Sequence, residues 1–315
     1  MSRASTPGPE PATPVAALAA RLVAVAAVLA VLAWAYKTEL LELAALWSRD
    51  PNYSHGYLVI PIVGFMFWWL WPRGAEADRL RPCPWGWALL AGLVAVRFAL
   101  LRGGHYWLEG FTLVPTVGAL VLAYGGWRLL WRTWPAVAFL VFMFSVPPTI
   151  NSQVSLPLQR VASIASAGLM RLLGFWVMDE GNVLVIGGEK LEVAAACNGL
   201  AMLMSLAATI SAFVILVPMA NWKRVALLLS VVPVALLCNI LRIAGTAYAY
   251  HLLGSKRGQE LAHDVAGWLM MPLALVIVLL ELAWLSWLVT EDEAAEPVSP
   301  TLMTTAGIRP SPPRR

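Results

Sequence analysis

The sequence predicts an all-α polytopic membrane protein: about eight transmembrane helices, an interfacial amphipathic helix and a small outer hairpin. Three observations predict it. Hydrophobic residues make up 60% of the 315 and charged residues 13%, where soluble domains carry about 25% charged residues. Apolar runs close to the ~20 residues that cross a hydrocarbon core recur along the chain. Sixteen tryptophans suit a protein with two membrane interfaces, where indole rings prefer to sit.

The elements follow in order. Residues 1–14, rich in Ser, Thr, Pro and Gly, read as a disordered leader. The first span covers Val15 to Tyr36; it is full length and no small-residue cleavage site ends it, so it reads as a span and not as a removable signal. A polar loop, 37–55, leads to a short second span from Gly56 to Trp71, with Pro61 near its start. The third runs from Trp85 to Leu101 and carries Arg97 near its outer end, from where a long side chain can snorkel. The fourth (Gly110 to Tyr124) and fifth (Pro135 to Ile150) flank a Gly125-Gly126 turn with Arg128 and Arg132.

The pattern then changes. Pro157 to Leu173 has apolar residues at helical spacing, with Gln159, Arg160 and Arg171 between them, and reads as an interfacial helix. Phe175 to Val193 holds short β-branched runs separated by Asp179-Glu180-Gly181-Asn182 and Gly187-Gly188-Glu189-Lys190, the pattern of a small hairpin. The sixth span starts near Ala196 and ends before Pro218. The seventh covers Val225 to Tyr250 and the eighth Asp264 to Val289. A polytopic domain over 15–289 is thus followed by a tail, 290–315, expected to be disordered and cytoplasmic. With the N-terminus in the cytoplasm, the loops 72–84, 125–134 and 218–224 hold 7 Lys/Arg, more densely than the 8 spread over the longer outer segments. The net charge of +4 bears on this topology and not on nucleic acid.

The chain is organised around Leu191-Glu192-Val193-Ala194-Ala195-Ala196-Cys197-Asn198-Gly199-Leu200, where a polar stretch runs into an apolar helix. Three cysteines, Cys83, Cys197 and Cys238, lie at unrelated spacings, which excludes a CxxC pair or a zinc framework. Free cysteine is commonly a buried, inert hydrophobe, and Cys83 and Cys238 take that reading. Cys197 differs because the first turn of a helix favours thiolate. Arg242 stands about two turns inside the seventh span, where a cation is unfavourable by ~2.5–3.5 kcal/mol even on insertion scales. Asn239, three residues earlier, shares its face. The plain alternative is a hydrogen bond clamping two helices.

His263-Asp264 opens the eighth span, with Gly267 one turn on. Asp264 reads equally as an N-cap and His263 as a loop residue, yet His is the commonest base for a thiol. Tyr53-Ser54-His55-Gly56 falls on the same outer face. Its spacing with Cys197 and His263 matches no metal pattern, so no metal and no cofactor are expected.

Taken together these residues resemble the exosortase/archaeosortase family of membrane-embedded cysteine enzymes. The resemblance rests on Tyr53-Ser54-His55-Gly56, Pro157-Leu158-Gln159, Ala196-Cys197-Asn198-Gly199-Leu200, Asn239-Ile240-Leu241-Arg242 and His263-Asp264 with Gly267. It implies Cys197 as nucleophile, Arg242 as oxyanion stabiliser and His263 as general base, with Asn198, Asn239, Asp264 and His55 in support. Asn198 departs from the Ser often found after the cysteine in the family. The resemblance further implies a bacterial inner-membrane protein with its site facing the periplasm. Its partners would be the C-terminal sorting-signal segments of exported proteins (a short motif such as Pro-Glu-Pro, one hydrophobic helix, a basic tail), surrounding membrane lipid and an acceptor of unknown identity. The alternative class is a non-catalytic membrane component of exopolysaccharide assembly or export, in which Cys197 is packing and Arg242 binds an anionic glycan.

Overall fold

The computed structural model describes residues 14–50, 53–181, 183–186, 189–192, 200–253 and 256–288. The expected leader and tail lie outside these residues, as do Cys197 and Asn198. The described chain is mainly helical: α1 (Pro14–Ala35), α2 (Lys37–Arg49), α3 (Gly56–Leu70), α4 (Pro84–Arg102), α5 (Tyr106–Phe111), α6 (Leu113–Phe139), α7 (Pro148–Leu172), α8 (Leu200–Leu216), α9 (Asn221–Leu253) and α10 (Lys256–Leu288). Between α7 and α8 lie strands β1 (Val177–Glu180), β2 (Val183–Ile186) and β3 (Glu189–Glu192).

Four stretches are long and apolar enough to cross a membrane: Pro84–Arg102, Tyr106–Met143, Asn221–Ala249 and Val265–Leu288. The bent pair Leu22–Ala35 and Lys37–Arg49 makes a fifth if counted as one span. Length and composition therefore give fewer spans than the eight expected. Gly56–Leu70 and Met202–Leu216 are apolar but short, and Tyr106–Met143 is not one rod. At Gly126 φ is +72° and ψ −171°, which interrupts α6. A Cβ built at Gly118 would stand 3.6 Å from Val137 Cγ1. Residues that far apart in sequence would be roughly 28 Å apart in a straight helix, so α6 doubles back as a hairpin of two arms. Gly126 also has no room for a side chain, since a Cβ would meet the Arg81 carbonyl oxygen at 2.3 Å.

Most of the loop expected over 37–55 is helix. Residues 37–49 form α2, turned 77° from α1, because Glu39, Leu43 and Trp47 recur every four residues and point one face inward. Arg97 does not snorkel. It is ion-paired with Glu39 at 2.8 Å and with Glu109 of α5, and its guanidinium lies 4.0 Å from the centroid of the Tyr36 ring. The Tyr36 hydroxyl shares 2.9 Å hydrogen bonds with Thr112 and Thr116. Charges that looked peripheral in sequence thus join α2, α4 and α5, and Tyr36, between α1 and α2, carries the network to Thr116 of α6.

The outer hairpin is a three-stranded antiparallel meander, β1-β2-β3, with Val177 opposite Ile186 and Val183 opposite Glu192. The third strand is missed by pattern because Glu189-Lys190-Leu191-Glu192 is mostly charged; pairing to β2 makes it a strand. Val177, Leu184 and Ile186 pack on Ala162, Ala167 and Met170 of α7 and on Ile243, Ala244 and Ala247 of α9. Arg171 ties the seam, donating to the Val177 carbonyl and to Asp179, each at 2.8 Å. That hydrogen bond, with the charge of Arg171, holds the Asp179 carboxyl below its usual range, so it is ionised where it pairs.

Candidate active site

Arg242 is set by the packing of α9 and α10. α9 is apolar, with small residues on its packed faces: Ala244 and Ala247 lie against Ala162, Ala167 and Met170 of α7, and Ala235 clusters with Ala274 of α10. α9 ends at Leu253 and α10 begins at Lys256, so equal steps from those two ends reach Arg242 and Gly267. There the guanidinium is half-buried, and a Cβ at Gly267 would stand 3.5 Å from Nη2 and 3.8 Å from Cζ. A bare glycine leaves the fork its place between the helices. Asn239, one turn earlier, is 1% exposed.

His263 lies four residues before Gly267, one turn along the same helix face. It is no loop residue, and Asp264 is no N-cap, because α10 already begins at Lys256. Continuous helix across 256–264 carries both two turns inside. Their side chains lie outside the described structure.

His55 stands at the residue before α3, and its Nδ1 is 3.3 Å from Ser205 Oγ of α8. Its neighbour Gly56 has a packing reason to lack a side chain. A Cβ there would fall 2.2 Å from Trp47 Nε1, and that indole donates to the Met143 carbonyl at 3.0 Å. The Tyr57 hydroxyl donates to the Ala44 carbonyl at 3.0 Å. Gly56→Ala is expected to displace the buried indole and destabilise by about 1–3 kcal/mol. Gly64→Ala, where nothing lies within 4 Å, serves as the neutral comparison; thermal unfolding in detergent reads both.

α8 connects these groups. It packs against α3, α6, α7, α9 and α10, so the His55 side and the Arg242 side meet along one helix. It starts at Leu200, while β3 ends at Glu192 on the sheet whose β1 and β2 pack on Ile243, Ala244 and Ala247 of α9. Cys197 and Asn198 belong to the segment joining those two points. Cys238, by contrast, is fully buried with Leu206, Ile210 and Ala274 between α8, α9 and α10, the inert role expected of it.

Sequence reasoning passed over Ser205 and gave Gln159 no role. Gln159 shares the buried face of α7 with Ser155, Ser163 and Ser166, and Ser166 donates to the Ile240 carbonyl of α9 at 3.2 Å. The signal was there for Gln159: four polar residues at 155, 159, 163 and 166 keep the i, i+4 and i+3 spacing of one face. Nothing in the local sequence marks Ser205, whose partner is 150 positions away.

No curated protein and no solved structure matches the chain. The sequence model of the transmembrane exosortases matches residues 47–280 of the 315, a stretch that takes in His55, Arg242, Gly267 and the helices that hold them. The chain belongs to the transmembrane exosortase family.

Proposed function

We propose that this exosortase is a membrane-embedded cysteine peptidase or transpeptidase that cleaves C-terminal sorting signals of exported proteins at the outer face of the bacterial inner membrane. The observation that carries the reading is the half-buried guanidinium of Arg242 beside Gly267, one turn from His263, on helices that pack against α8. In the sequence Cys197 precedes Leu200, the first residue of α8, by three residues.

In the proposed reaction the Cys197 sulfur attacks the carbonyl carbon of the substrate's cleavage motif and its proton passes to His263. Arg242 stabilises the negative oxygen of the tetrahedral intermediate. When the C–N bond breaks, the leaving amine takes the proton from His263 and departs with the substrate's membrane helix and basic tail. The resulting thioester is opened by an acceptor nucleophile, which anchors the product, or by water, which releases it; the mass of the product distinguishes the two. Asn198 and Asn239 orient the polar groups around the thioester, Asp264 supports the His263 turn, and His55 positions α8 through Ser205.

The matching topology has eight crossings: α1, α3, α4, the two arms of α6, α8, α9 and α10, with the N-terminus in the cytoplasm and the meander on the periplasmic side. The hairpin at Gly126 and the two short apolar helices support that count. Loss of all processing of a sorting-signal substrate in Cys197→Ala and in Cys197→Ser is the expected result. Normal processing in either removes Cys197 as nucleophile and leaves the non-catalytic reading.

A further inference from the structure

At the arginine-rich end of the α6 hairpin, away from Arg242, a cavity of about 480 Å³ is lined by Arg79, Arg81, Gly125, Gly126, Trp127 and Arg128. Its size is in the range of ligand clefts, ~300–1,000 Å³. Its frame is held at two points. The Cys83 amide donates to the Ala123 carbonyl at 3.2 Å, and the Arg81 carbonyl presses on Gly126, whose positive φ makes the floor.

Among the described residues the arginines here divide into two kinds. Arg132 is occupied, donating to Glu76 and to the Leu70 carbonyl, each at 2.6 Å. Arg79, Arg81 and Arg128 have no acidic partner among the described residues and converge on one space. Trp127 lines the cavity, and exposed Trp71, Trp85 and Trp131 stand within two residues of Leu70, Cys83 and Arg132, whose hydrogen bonds frame this end; exposed indoles mark headgroup depth.

We propose that this cavity binds a phosphate anion, held by two or three guanidinium forks, and that its source is the phosphodiester headgroup of an anionic lipid. Planar guanidinium groups match phosphate bidentately, and the exposed indole of Trp127 in the lining suits the depth where such headgroups lie.

The test is native mass spectrometry of the full chain released from nanodiscs of phosphatidylglycerol or of phosphatidylcholine, with inorganic phosphate added to the second in a separate arm. The expected result is preferential retention of phosphatidylglycerol. Arg81→Gln should reduce it roughly fivefold and Arg79→Gln/Arg81→Gln/Arg128→Gln roughly a hundredfold. Arg132→Gln, with the same charge change as Arg81→Gln, should leave it unaltered. The triple Lys variant keeps the charge and should still lose most of the retention, because it lacks the forks. Retention of inorganic phosphate that is lost in the triple Gln variant, without a lipid preference, would keep the anion site and overturn the lipid as its source. Equal effects of Arg81→Gln and Arg132→Gln, or wild-type retention in the triple Lys variant, would overturn the proposal in favour of unspecific surface charge.

Discussion

Arg97→Met is expected to destabilise the protein by about 3–5 kcal/mol, because it leaves two inward carboxylates without their cation. Glu109 is only 2% exposed and Glu39 14%. One oxygen of Glu39 already has no hydrogen-bond partner among the described residues. The loss should appear as a fall of roughly 10 °C in apparent Tm in detergent. The triple variant Arg97→Met/Glu39→Gln/Glu109→Gln should recover most of it, since removing all the charges together removes the need for the pairing. If Arg97→Met were neutral, the cluster would not be what joins α2, α4 and α5.

The second large effect is chemical. Arg242→Lys should leave insertion and Tm near wild type and lower substrate processing about 100- to 1,000-fold, the usual consequence of losing one oxyanion donor. Lysine keeps the charge but not the planar fork. Gly267 offers an independent route to the same end. Gly267→Ala adds only an ordinary 3.5 Å contact with Nη2 and should be tolerated, whereas the two further methyls of Gly267→Val should push the guanidinium aside and lower processing with Arg242 still present. A helix-clamping role alone would instead lower Tm in both Arg242→Lys and Gly267→Val in step with activity. Intolerance of Arg242→Ala combined with tolerance of Cys197→Ala would favour anionic-glycan binding.

Much of the fold was legible because hydropathy is a local property. α1, α4, α9 and α10 follow from apolar runs of spanning length, and the Gly125-Gly126 reversal from turn chemistry. What escaped depends on distant partners. Arg97 looked like a snorkelling residue because Glu39 is 58 positions away, and β3 looked like a turn because its strand character comes from pairing with β2. The helical face of α2 was hidden by the polar composition of 37–55. The site was legible in part: Arg242 and Asn239 stood out as polar groups in an apolar helix, and the structure sets the first of them against Gly267. The eighth span read from Asp264 matches the apolar stretch Val265–Leu288, but the helix that carries it starts two turns earlier, because Lys256-Arg257-Gly258-Gln259 looks like a loop yet forms the first turn of α10. Cys197 remains a reading from sequence and family, outside the described residues.

The most direct test of the central claim is thiol labelling of Cys197 in intact membranes across pH, from the outer face, in a Cys83→Ala/Cys238→Ala background and with His263→Ala for comparison. The account predicts rapid labelling with an apparent pKa well below the ~8.5 of a free cysteine, and a shift of that value when His263 is removed. A thiol that fails to label in the folded protein, or one that titrates as an ordinary cysteine and is indifferent to His263, would contradict it.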